Sequence, residues 1–206
     1  NLAYAAFCLG DFAKAVPVAE KVLSQRLKTV GEKDPKTLQA MANLARIYGA
    51  DGQVDKALEL FENTLALQTT VLGERNPETL LGMRDLGNLY LAIGRLEESI
   101  RLCKRVLVIC SELYSDTDPR TVEALKNLAA GYAASEKYDK AIRLLDQALT
   151  CQTQMGDEPH PDMVSTMNQL AMCYLPMGQI EKALDMFRKT EELCTQLFGE
   201  QHPQTI

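Results

Sequence analysis

The chain has 206 residues, 46% apolar and 24% charged, the balance of an ordinary globular protein and not of a disordered one. Its 22 Lys and Arg against 28 Asp and Glu leave a net charge of −6. That argues against a general nucleic-acid or membrane-surface binder, which rests on a basic, phosphate-directed face. No apolar run reaches the roughly 18 residues that a membrane-spanning helix needs.

In chain order, Asn1–Phe7 reads as the interior of a helix, with no initiator Met and no basic-then-apolar signal segment. Gly10 is the first of the turn glycines, and residues 1–34 read as a partial repeat. Pro35 then opens a segment with apolar residues at 38, 41, 44, 45 and 48, the spacing of one helix face. Proline suits the first helical turn because its missing N–H is an orphan there anyway. Asp34, Asn76 and Asp118 precede such prolines as N-caps. A turn at Ala50-Asp-Gly-Gln53 ends this helix, and another runs from about Val54 to Leu72, where Gly73 stops it. At the far end, Gln201–Ile206 reads as the start of a new element, so both ends are expected to be cuts in a longer protein.

The same pair of helices recurs every 42 residues. Pro35, Pro77, Pro119, Pro161 and Pro203 mark the step. Leu2, Leu44, Leu86, Leu128 and Leu170 keep it, as do Tyr48, Tyr90, Tyr132 and Tyr174. Small residues recur at Ala15, Ala57, Ser99, Ala141 and Ala183, and turn glycines at Gly10, Gly52, Gly94 and Gly178, with Glu136 as the exception. The boundaries are therefore 1–34 (a partial repeat), 35–76, 77–118, 119–160, 161–202, and 203–206 as the start of another, all within one array. Alanine or glycine at 45, 87, 129 and 171 lets paired helices approach closely, while the Leu and Tyr columns fill the space between repeats. No repeat buries its apolar faces alone, so stability must come from stacking.

Leu44-Ala45-x-x-Tyr48, Gly52, Ala57-x-x-x-Phe61 and the closing proline resemble the tetratricopeptide repeat. That repeat is roughly 34 residues long; the extra residues here lengthen the second helix and its exit loop. The loops Leu72-Gly-Glu-Arg-Asn-Pro77 and Phe198-Gly-Glu-Gln-His-Pro203 resemble the 42-residue kinesin-light-chain-like subclass. The resemblance implies an all-α tetratricopeptide-repeat solenoid, a right-handed superhelix of about five antiparallel helix pairs whose first helices line a concave groove.

Residues that carry chemistry are few. Cysteines at 8, 103, 110, 151, 173 and 194 form no Cys-x-x-Cys pair, which points to reduced thiols in a cytoplasmic compartment and not to a disulfide scaffold. His160 and His202 share one repeat column before a proline, where the other repeats carry cap residues, and have no cysteine at zinc-ligand spacing. No phosphate loop, Gly-x-Ser-x-Gly or His-Glu-x-x-His is present. The sequence thus predicts no enzyme, no cofactor and no metal.

By the resemblance, groove-facing first-helix positions include Arg46, Arg84, Asn88, Lys126, Asn168 and Met172, with Asn43, Asp85, Asn127 and Gln169 in the neighbouring column. Counting Arg46, Arg84 and Lys126 against Glu123, the groove comes out slightly positive on an acidic chain. Arg and Lys donate charge-assisted hydrogen bonds to carboxylates, and Asn clamps an extended backbone with donor and acceptor. Arg84, Asn88 and Asn127 match three positions of the clamp that chaperone-binding members use for an acidic C-terminal tail. The clamp's further basic pair falls on Ser165 and Gln169, so an internal acidic segment fits better. The expected partner is an acidic peptide with apolar anchors seated near Leu81, Leu91, Met172 and Leu175, with no nucleic acid and no membrane. The function is then a peptide-binding adaptor or scaffold resembling the kinesin light chain cargo-binding domain. The alternative is a sensor or self-association arm of a larger signalling protein, such as a repeat-bearing NTPase.

Overall fold

The computed structural model of the chain describes residues 7, 9–156 and 161–198. Among them are nine α-helices and no strand: α1 Phe12–Thr29, α2 Pro35–Ala50, α3 Val54–Val71, α4 Pro77–Ala92, α5 Leu96–Leu113, α6 Pro119–Ala134, α7 Tyr138–Gln154, α8 Pro161–Tyr174 and α9 Ile180–Phe198. The four prolines that mark the sequence period each open a helix. The tenth expected helix falls on residues 1–6 and 8, outside the described residues, as do Cys8, His160, His202 and Pro203.

The caps act as the sequence requires. Asp34 accepts from the Thr37 N–H at 3.0 Å, Asn76 from the Glu78 N–H at 2.9 Å, and Asp118 from the Arg120 N–H at 2.9 Å. Each satisfies a donor that the first turn would leave orphaned, worth about 1 kcal/mol. The turns between paired helices close with a long-range backbone bond: Gln53 N–H to the Tyr48 carbonyl, Lys137 N–H to Tyr132, and Gln179 N–H to Tyr174, at 2.9, 2.9 and 3.1 Å. This geometry needs a left-handed residue just before the closing donor. Gly52 and Gly178 supply it at φ 78° and 70°; Glu136 adopts it without glycine, at φ 58°. A turn this short forces the two helices of a pair to run antiparallel.

The helices group into two compact units, Asn1–Ile93 and Gly94–Ile206. In the N-terminal unit α1, α2, α3 and α4 pack in succession, and the first helices α2 and α4 also touch. In the C-terminal unit α5 through α9 do the same, with α6 touching α8. The repeat columns are the core. Leu44, Leu86, Leu128 and Leu170 are buried, as are Ala45, Ala57, Ser99, Ala129, Ala141, Ala171 and Ala183. Leu128, for example, sits among Ile100, Cys103, Tyr132, Leu145 and Leu170.

A second column, unremarked in the sequence, faces the tyrosines from the preceding second helix, 28 residues earlier. Tyr48 Oη donates to Glu20 Oε1 at 2.6 Å, and Tyr90 Oη donates to Glu62 Oε1 at 2.7 Å. In the C-terminal unit the same places hold Lys104, its ammonium 5.6 Å from the Tyr132 ring centre, and Asp146, whose charge raises the Tyr174 pKa together with burial. Burial and then Glu20 push the Tyr48 phenol up to about 12.

Candidate functional site

The first helices carry the expected positions, but their charges are already engaged. Arg46 Nε donates to Asp85 Oδ2 at 2.5 Å and its Nη1 to Asn43 Oδ1 at 2.7 Å. Arg84 donates to the other oxygen, Asp85 Oδ1, at 3.0 and 3.3 Å. One carboxylate, with a side chain only 8% exposed, thus clasps an arginine of its own helix and one of α2. Asp85 belongs to the same cluster as the groove arginines; their long stems reach the neighbouring column. Lys126 lies 3.9 Å from Glu123 Oε2 with a side chain 11% exposed, and Asn127 Nδ2 donates to Glu123 Oε1 at 3.5 Å. The positive excess expected from counting Arg46, Arg84 and Lys126 against Glu123 is therefore largely paired off internally.

The remaining positions divide by exposure. Asn43 and Asn88 are exposed, while Asn127 and Asn168 are half-buried. Met172 is 61% exposed and Leu175 is 38% exposed, whereas Leu81 and Leu91 are half-buried.

Each unit has a cleft on its first-helix side. In the N-terminal unit a cleft of about 160 Å³ lies against α1 and α2, with Arg26, Lys36, Gln39, Asn43 and Arg46 around an apolar floor that includes Ala19 and Ile47. In the C-terminal unit an open cleft of about 930 Å³ lies against α6, α7 and α8, with Asp162, Ser165, Asn168, Gln169 and Met172 over a floor that includes Leu145 and Cys173. The two are the same place in the repeat, three periods of 42 apart. Ala19 corresponds to Leu145, Lys36 to Asp162, Gln39 to Ser165, Asn43 to Gln169, Arg46 to Met172 and Ile47 to Cys173. Phe7, which narrows the first cleft, corresponds to Ala133 in the second, replacing a ring by a methyl.

Of the positions named from the sequence, Asn43, Arg46, Ser165, Asn168, Gln169 and Met172 line these clefts, whereas Arg26 and Lys36, which also line the first, were not among them. Arg26 sits on a second helix, and Lys36 lies before the first-helix positions that a generic repeat directs to its groove. The column through 36, 78, 120 and 162 was the available signal: it reads Lys, Glu, Arg, Asp, a variation that packing does not require. The cysteines 103, 110, 151, 173 and 194 are free and buried; burial raises the pKa of the first four. Among the described residues no helix is long and apolar enough to cross a membrane.

The tetratricopeptide repeat family matches residues 1–70, 43–101, 78–154 and 162–206. Among solved structures the chain is similar to the nearly identical TPR-like repeats of a putative kinesin light chain from Podosopora anserina, at 27% identity and TM-score 0.84, covering 96% of this chain and 93% of that one. A single-substitution variant of that protein gives 28% identity and TM-score 0.86, with 95% and 92% covered. BtubC (BKLC) from P. vanneervenii shares the fold, at 21% identity and TM-score 0.84, over 98% of this chain and 80% of that one. No curated protein sequence matches the chain. With family matches over most of its length and a capped helix pair recurring every 42 residues, the chain belongs to the tetratricopeptide repeat family, whose fold serves as a protein–protein interaction module.

Proposed function

We propose that the chain is a peptide-binding adaptor whose first-helix faces hold an extended, acidic segment of a partner protein with apolar anchors. The observation that supports this most directly is the pair of repeat-equivalent clefts, one in each unit, lined by amides and open on first-helix positions that the core does not use. Asn43 and Asn88 offer exposed amides in the N-terminal unit, and the half-buried Asn168 and Gln169 line the C-terminal cleft. An extended backbone presents one donor and one acceptor per residue, which a primary amide matches from a single side chain. The exposed Met172 gives the second cleft an adaptable apolar wall, a property of thioether side chains. The structural likeness to a putative kinesin light chain from Podosopora anserina supports an adaptor role of the same kind. Five buried free thiols suit work in the cytoplasm, where thiols stay reduced.

The test is a peptide-array screen followed by titration of the best binder against wild type and an Asn43→Ala/Asn168→Ala double variant, one change in each cleft. The expected affinity is micromolar, about −8 kcal/mol. It should weaken in the double variant and as salt rises, because exposed charges are screened over about 8 Å at physiological ionic strength. A binder indifferent to both changes would place recognition on the second helices and end this reading.

A further inference from the structure

The N-terminal cleft differs from its C-terminal counterpart in one consistent respect: its rim is cationic. Among the described residues that line it are Arg26, Lys36 and Arg46 and no acid, with Arg46 already held by Asp85 of the next first helix. At the equivalent places of Lys36 and Arg46 the C-terminal cleft has Asp162 and Met172. Lys36 is the telling residue. It stands in the first turn of α2, directly after Pro35, where the partial positive charge of a helix start disfavours a cation. The same column holds Glu78 and Asp162, which that helix end favours, and Arg120, which folds back on its own cap with Nε and Nη2 2.9 and 2.8 Å from the Asp118 carboxylate. Lys36 is exposed and has no acidic partner among the described residues. Arg26 meets Asp34 only at 4.0 Å.

We infer that the N-terminal cleft is an anion subsite that receives one acidic or phosphorylated side chain of the bound peptide, with Lys36 and Arg26 as its specificity-determining residues, and that Asp162 bars the same anion from the C-terminal cleft. This rests on the peptide-binding reading above. A volume of about 160 Å³ holds roughly five waters, enough for a carboxylate or phosphate and below the usual size of a small-molecule pocket. The floor of Ala19, Val22, Ala40 and Ile47 lowers the local dielectric, so the cations act more strongly there than on an open surface.

The experiment is amide-resolved NMR of the whole chain titrated separately with acetylated tri-glutamate, tri-glutamine and tri-phosphoserine amides and with inorganic phosphate. The acidic peptides should shift the amides of Lys36, Gln39 and Asn43 more than tri-glutamine does, and leave Asp162, Ser165 and Gln169 nearly unmoved. A stronger response to tri-phosphoserine identifies the natural group as phosphate, and a stronger one to tri-glutamate as carboxylate. Lys36→Glu should weaken the acidic peptides by up to about fivefold, the upper end for one exposed pair. This variant places an acid where the helix start favours one, so it will not fail by unfolding. Conversely, Asp162→Lys should make the C-terminal cleft respond to tri-glutamate. Equal shifts from tri-glutamate and tri-glutamine, indifference to Lys36→Glu, or equal binding of inorganic phosphate and the peptides would each overturn the subsite. If no peptide of any composition moves first-helix amides in either unit, the peptide-binding reading itself fails.

Discussion

The two clefts occupy the same columns of the repeat and differ in nearly every rim residue. Their floors stay small or apolar, with Ala19 against Leu145 and Ile47 against Cys173, because those side chains also pack the helices together. Their rims run from Arg26, Lys36 and Arg46 on one side to Asp162 and Met172 on the other. A repeat therefore fixes where a cleft lies, while positions outside the packing columns decide what it admits. Reading a family's groove positions onto the chain locates the clefts. The chemistry comes only from comparing one repeat with another.

The largest effect should come from the shared scaffold, and it tests whether the units respond separately. Leu44 and Leu128 fill the same column, one in each unit, at 3% and 4% exposure. Leu→Ala at either should cost about 2–5 kcal/mol, the transfer loss plus the cavity left behind. Since repeats couple chiefly to their neighbours, hydrogen exchange should accelerate in the unit that carries the change. Equal loosening of both units by either variant would break the nearest-neighbour picture.

Next in size is the Asp85 clasp, which has no counterpart elsewhere: its column reads Asn43, Asp85, Asn127 and Gln169. Asp85→Asn keeps the shape and installs the amide found in the repeats on either side. Hydrogen bonds to charged groups are worth about 1.5–3 kcal/mol. With the arginine side chains about a third exposed, a loss of about 1–2 kcal/mol in denaturant titration is expected after solvent screening. The same change frees two guanidinium groups, so acidic peptides should bind more tightly. The Glu123–Lys126 contact at 3.9 Å gives the contrast, and Glu123→Gln should cost less than about 0.5 kcal/mol. A clasp variant no less stable than this one would mean that Asp85 is only a surface pair.

Most of the fold was legible because its determinants repeat. The prolines, caps, glycines and the Leu and Tyr columns each appear several times in phase, so one chance match cannot mislead. The site was less legible for the opposite reason: Asp85, Lys36 and Arg26 are singular. The Arg46–Asp85 contact joins residues 39 apart, and only packed helices reveal that the two meet. The acidic residues facing Tyr48 and Tyr90 were hidden likewise, since the facing column reads Glu, Glu, Lys, Asp and no single residue type marks it.

Alkaline pH separates the units by a different route. In the C-terminal unit burial raises the Cys103, Cys110, Cys151 and Cys173 thiols above their ordinary value of 9. In the N-terminal unit the Tyr48 phenol moves from 10 up to about 12. In both cases the folded state favours the neutral form. The stabilisation is complete below the unfolded pKa and is lost as pH rises through the folded one. The C-terminal unit should thus begin to weaken above about pH 9, and the Tyr48 contribution should fade only between 10 and about 12. Melting curves followed by circular dichroism across this range should show the earlier loss, and Glu20→Gln should lower the phenol's titration point. A thiol that reacts freely in the folded chain below pH 9 would contradict the burial on which this rests.

The smallest effect compares two turns of the same design. Gly52 closes the α2–α3 turn at φ 78°, and Glu136 closes the α6–α7 turn at φ 58°. A side chain in this left-handed region crowds its own backbone, at a cost of roughly 1–2 kcal/mol that glycine avoids. Glycine loses more backbone freedom on folding, which returns part of that gain. Glu136→Gly should therefore stabilise the C-terminal unit by about 0.5–1 kcal/mol, and Gly52→Ala should destabilise the N-terminal unit by at least as much. No neighbouring atom lies within 4 Å of where a Cβ at Gly52 would stand, so the penalty there is purely conformational. The Lys137 N–H bond to the Tyr132 carbonyl, 2.9 Å long, should persist in the glycine variant, since the same bond closes the Gly52 turn. If Glu136→Gly lowers stability instead, the glutamate side chain makes a contact worth more than the strain it imposes, and the two turns are not equivalent.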